Sequence, residues 1–235
     1  MGASQIVYGV NDSLTPAGIN VARESERYMF TYIKLQHLLE HNSQIDTVFM
    51  ECAPNDLFEH ADDKYFLDNE MTGFFAKYYP LFNSEQWVMY KEKAATAFGL
   101  LYRKTIIDYI KGIDYTYFSS KFPPRTKTLD RSTVKYKPLE GTYGNEINYH
   151  YLRKIIELCN KENVKLYLVN CPFYKPELFF NMEYYHNAYN SNFSDVELLD
   201  YSDFQVEDDE RNDAHHLNDK GAIKFTKMLK EKYNL

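Results

Sequence analysis

Two spacings of apolar side chains recur along the chain. Over 24–41 they return every three or four residues, at Tyr28, Met29, Tyr32, Ile33 and Leu35 and on to Leu38 and Leu39, which predicts an amphipathic helix. The same period predicts helices over 82–113, 146–162 and 219–233, with another over 176–191. Between them stand short, continuous apolar runs: 45–52 (IDTVFMEC), 164–171 (VKLYLVNC) and 196–201 (VELLDY). Runs of this length, rich in β-branched residues and closed by proline or polar turns, predict buried strands. Residues 1–22 carry turn signals at Asn11-Asp12-Ser13, Pro16 and Gly18, and 114–144, with Pro123-Pro124 and Gly141, reads as an irregular loop.

Helices and strands in this alternation predict an α/β domain of three-layer, flavodoxin-like type, with a central parallel sheet covered by helices. Residues 1–235 are expected to form one domain, with 60–140 as a helical insertion or lid built upon it. Ligands of such sheets bind beyond the carboxyl ends of the strands. Three turns are expected there: Ser4 at the start, Asn55 after the first apolar run, and Asp213 with His216 after the last.

Composition narrows the function. A net charge of −7 lacks the basic footprint of a nucleic-acid binder. A 44% hydrophobic content separates the chain from disordered tails. No apolar run approaches the roughly 20 residues of a membrane span. Three scattered cysteines, Cys52, Cys159 and Cys171, without CxxC or Cys/His spacing, read as buried free thiols, with no disulfide framework and no structural zinc. The 22 tyrosines suit an aromatic core, or a groove for a carbohydrate, since Tyr offers a flat face and a hydroxyl. Met1 to Gln5 reads as a strand end and its turn with the strand itself missing, as in a chain cut downstream of an anchor. The compartment is then open: bacterial periplasm or envelope if an anchor was removed, cytoplasm otherwise.

The chemistry concentrates at Asp213-Ala-His-His216-Leu-Asn218. A serine nucleophile needs a base within hydrogen-bond reach, and the base needs an acid to fix its tautomer. Asp213 and His216, at i and i+3 before a helix, can point into one cleft. Each has a plainer reading: Asp213 as a helix cap, His216 as a packed helix-start residue, Ser4 as a turn or cap serine, Asn55 as an Asn-Asp turn. Asn218 reads as the N-cap of the last helix, and His215 as facing solvent or lining the cleft. A cation held by Asp213, His215, His216 and the acidic run 207–210 lacks zinc spacing, and that run reads as a solvated loop.

The block resembles the last motif of the SGNH/GDSL hydrolases, Asp-x-x-His followed by Leu-Asn and a helix starting near Gly-Ala, here Gly221-Ala222. That family's first motif is a Gly-x-Ser turn, matched by Gly2-Ala3-Ser4. Its second, which supplies an oxyanion N–H normally from glycine, is matched by 18–25 with Ser25 in the glycine's place. Its third, Gly-x-Asn-Asp, is matched by Ala53-Pro54-Asn55-Asp56, without the glycine. The resemblance covers roughly 1–57 and 145–235. It implies Ser4 as nucleophile, His216 as base and Asp213 as its acid partner, with Ser4, Ser25 and Asn55 forming the oxyanion hole. It further implies ester hydrolysis or acyl transfer, with small acyl groups such as acetyl on a carbohydrate as the expected substrate and no cofactor or metal. The missing glycines favour a different reading, a non-catalytic binding or assembly protein of a bacterial envelope.

Overall fold

The computed structural model describes residues 1–57, 74, 77–93, 125–135 and 146–233. Three parallel strands form its sheet in the order β1 (Thr47–Glu51), β2 (Lys165–Asn170), β3 (Glu197–Asp200). All three fall inside the predicted apolar runs. Register sets Met50 beside Leu168 and Val169 beside Leu199. β2, between the other two, is buried at every position after Lys165, which is why its sequence does not alternate.

Side-chain parity divides the core. Val48, Met50, Leu166 and Leu168 point into one cluster with α2 (Tyr28–His41) and α4 (Glu146–Lys161). Phe49, Tyr167, Val169 and Leu199 point into another with α1 (Ser4–Gly9) and α6 (Asp219–Tyr233). Successive strand residues face opposite ways, so helices cover both faces of the sheet. The remaining described α-helices are α3 (Ser84–Lys93) and α5 (Met182–Asn192).

Helix ends follow local chemistry. Asn163, at φ 56°, turns the chain out of α4, and the Val164 N–H reaches back to the Cys159 carbonyl at 2.8 Å. The Asn218 carboxamide caps α6, accepting from Lys220 N at 3.0 Å and Gly221 N at 3.3 Å. Gly221 cannot carry a side chain: a Cβ there would sit 2.1 Å from the Glu210 carbonyl.

Three sequence expectations change. The helix predicted from 24 begins at Tyr28, because Ser25 adopts φ 59° and interrupts it. The turn region 1–22 contains α1, whose six residues are too few to show a period. The run 207–210 is a 3-10 turn pinned by ion pairs, Asp208 to Arg131, Asp209 to Lys220 and Glu210 to Lys224, and is more than a solvated loop. Much of the predicted insertion at 60–140 lies outside the described residues, as does the predicted helix beyond Lys93. All three cysteines are free and buried. Among the described residues no helix is long and apolar enough to cross a membrane.

A buried ion pair anchors α2. The Lys34 ammonium donates to Glu26 and to the Val21 carbonyl, while the Tyr78 hydroxyl donates to Glu26. Neither Lys34 nor Glu26 side chain reaches solvent. Burial lowers the Lys34 pKa against the pull of Glu26. Removing one partner of such a pair strands the other charge, at a cost of about 3–5 kcal/mol. Urea denaturation of Lys34→Met is therefore expected to show a loss of that size. Adding Glu26→Leu is expected to restore part of it; a single variant as stable as the parent would contradict the buried-pair account.

Candidate active site

The chain enters the site beside β1. Met1 donates through its amine to the Phe49 carbonyl and accepts from the Glu51 N–H at 3.0 Å, one step of a parallel ladder. Gly2 then turns the backbone at φ 117°, and a Cβ there would meet the Glu51 Cβ at 2.4 Å. Only glycine combines that dihedral with that approach. Ser4 follows at the first position of α1.

Glu51 holds this turn from beneath. Its carboxyl, 2% exposed, accepts from the Ile6 N–H at 3.1 Å. Burial, then the neighbouring Asp56, pushes its pKa well above the carboxylate range, against the N–H groups of Ile6 and Ala3 and the Met1 amine. The group is thus largely uncharged beneath the Gly2–Ser4 turn.

His216 arrives from the opposite end of the chain. One carboxylate shapes its whole loop: Asp213 Oδ1 accepts from the His215 and His216 N–H groups, both at 2.9 Å, and Oδ2 from the Asn212 amide at 2.8 Å. The same oxygens lie 2.9 and 3.0 Å from His216 Nδ1. Burial opposes ionisation of Asp213, but its hydrogen bonds and the His216 ring outweigh burial and hold the pKa well below the usual range. Asp213 thereby fixes the proton of His216 on Nδ1 and leaves Nε2 as an acceptor. Nε2 lies 2.9 Å from Ser4 Oγ, whose hydroxyl donates to it. Ser4, His216 and Asp213 are therefore joined in one hydrogen-bonded chain.

Ser25 and Asn55 make no hydrogen bond with those three. Ser25 sits in a tight turn in the left-handed region that glycine favours, so it keeps a glycine-like backbone while carrying a side chain. Its loop is tied to the Gly2–Ser4 turn: Arg23 N–H donates to the Gly2 carbonyl at 3.0 Å, and the Asn20 amide to the Ile6 and Val10 carbonyls at 2.9 and 2.8 Å. Asn55 lies in the 3-10 turn Pro54–Asp56 directly after β1, closed by Asp56, which accepts from the Ala53 N–H at 2.9 Å.

Sequence reasoning missed three neighbours, Arg125, Tyr8 and Glu24. The Arg125 guanidinium stacks 3.5 Å over the Tyr8 ring, and Tyr8 meets the His216 ring edge-on at 5.4 Å. Arg125 also pairs with Glu24 at 3.0 Å and with Asp213 at 3.6 Å. It thus ties the Ser25 turn, α1 and the Asp213–His216 loop together. Arg125 follows Pro123-Pro124 in a stretch read as loop, and no spacing connects it to Asp213. His215, expected to face solvent or line the cleft, packs against Phe179 and Phe173, with centroids at 4.8 and 5.6 Å. Burial, then the neighbouring His216 ring, lowers its pKa.

A family model of unknown function matches residues 129–234. The match takes in Asp213 and His216 but not Ser4, Ser25, Asn55 or Arg125. No curated protein matches the chain.

Glu51→Gln isolates the buried carboxyl, since the glutamine oxygen can still accept from Ile6. A carboxyl whose folded pKa is raised above its unfolded value, about 4.3, makes the fold progressively less stable as pH climbs between the two values. Wild type is therefore expected to lose stability relative to Glu51→Gln from about pH 5 to about pH 8. Parallel denaturation curves of the two proteins at each pH check this; a constant difference would mean that Glu51 titrates normally.

Proposed function

We propose that this chain is a serine-dependent ester hydrolase or O-acyltransferase with a three-layer, SGNH-like α/β fold. The observation that carries the reading is the 2.9 Å contact between Ser4 Oγ and His216 Nε2, backed by Asp213 on Nδ1. Helices on both faces of a parallel sheet and the resemblance of the Asp213–Ala222 block support it.

In this reading His216 takes the hydroxyl proton as Ser4 Oγ attacks the ester carbonyl. The tetrahedral oxyanion is stabilised by the N–H groups of Ser4 and Ser25 and by the Asn55 amide. Collapse expels the alcohol, which receives the proton from His216 and leaves an acyl group on Ser4. Water or a sugar hydroxyl, deprotonated by His216, then releases the acyl group. Asp213 orients the ring and offsets its charge while it is protonated. The apolar cluster of Ala53, Phe173, Phe179, Phe180 and Ala214, beside His215, suits a small acyl group. The acetyl group and the carbohydrate rest on the family resemblance.

A fluorophosphonate probe tests the reading. The chain is expected to be labelled, Ser4→Ala and His216→Ala to lose labelling, and His215→Ala to keep it. Turnover of an activated acetyl ester is expected to fall by about 10² or more in Asn55→Ala, the scale of a lost oxyanion donor. A folded chain that resists the probe would overturn the enzyme and favour the non-catalytic envelope-binding reading.

A further inference from the structure

A second cluster lies away from the serine. α2 precedes β1 through residues 42–46, and its last turn carries His37, Glu40 and His41. The strands run from this end towards Asn55 and the Asp213–His216 loop. The cluster therefore sits at the amino end of the sheet, opposite Ser4.

We propose that His37, Glu40 and His41 bind a divalent transition-metal ion of the zinc class. The spacing i, i+3, i+4 sets all three on one helical face. One ligand atom from each lies within 4.8 Å of the others. Around a zinc ion with bonds of about 2.0–2.1 Å, tetrahedral ligand atoms stand roughly 3.4 Å apart. The required closure is therefore small, and rotation of the exposed Glu40 and His41 side chains supplies it.

The second shell favours a metal. His41 Nδ1 lies 2.8 Å from the His37 carbonyl and donates to it. That bond assigns the ring proton to Nδ1 and leaves Nε2 as a free lone pair, the arrangement typical of a metal-ligating imidazole. The two rings lie with centroids 4.3 Å apart. Gln36 holds Glu40 Oε1 at 3.3 Å and leaves Oε2 for a cation. The carboxyl end of the α2 dipole adds a negative potential that favours a cation there. Lys161 of the packed α4 is the nearby opposing charge, and it is paired with Glu162 at 2.8 Å. Two imidazoles and one carboxylate select zinc, copper or nickel over calcium or magnesium. Three protein ligands leave a fourth position for water. Binding to the folded helix alone would staple the last turn of α2 and stabilise the chain by mass action.

The test is a calorimetric titration of zinc chloride into the full chain, His41→Ala and Glu40→Gln, with thermal unfolding of each. The cysteines are buried and do not compete in the folded protein. One saturable ion per chain is expected, with a higher melting temperature. Affinity is expected to fall by more than about tenfold in His41→Ala, since even outer-shell partners change affinity by that scale. Glu40→Gln is expected to weaken it less. His41 is exposed, so that variant is expected to fold as the parent does. No saturable binding, or equal affinity in His41→Ala, overturns the proposal; the second outcome would assign the ion to other ligands.

Discussion

The contact between Ser4 and His216 joins groups 212 residues apart. Closing a loop of that length costs about 5 kcal/mol of chain entropy. One hydrogen bond contributes about 1 kcal/mol net, so it cannot hold the site together. Packing of α1 on α6 does: Ile6, Val7 and Tyr8 lie in one apolar cluster with Leu217, Phe225 and Leu229. Each such side chain contributes about 1.5–3 kcal/mol on full burial. Thr226 adds a polar clasp, accepting from Asn11 N–H at 2.9 Å and donating to the Gly9 carbonyl at 3.4 Å. The geometry of the serine is thus a consequence of the core beneath it.

That dependence explains what could be read from the sequence. The strands were legible because burial on both faces leaves continuous apolar runs, as in 164–171. α4 and α6 were legible because each buries one face at helical spacing. Asp213, His216 and Asn218 were legible because six residues hold their whole pattern. Ser4 was legible only beside that block, since its own turn is short and common.

The rest depended on tertiary contacts. Nothing local marks Arg125, whose partners Glu24 and Asp213 lie far along the chain on either side. Glu26 and Lys34 look like surface charges at helical spacing, and their burial follows from Tyr78 and the Val21 carbonyl. Ser25 departs from the expected glycine, yet its backbone takes the glycine conformation. The motif difference at this position is one of side chain, since the backbone dihedral is one that glycine favours. The His37–His41 pattern is short, and nothing around it in the sequence distinguishes it from an ordinary polar helix face.

The amide of Asn218 has a consequence for chemical ageing. Its nitrogen donates to the carbonyls of Lys127, Asp209 and Arg211, at 2.9, 2.8 and 3.3 Å, while its oxygen caps α6. Deamidation exchanges that nitrogen for an oxygen and turns a shared donor into a carboxylate facing three carbonyl oxygens. The helix cap would survive the exchange, whereas the segment 125–135 and the loop that carries Asp213 and His216 would be pushed apart. A one-dalton change, invisible to most assays of folding, would thus be felt where His216 meets Ser4.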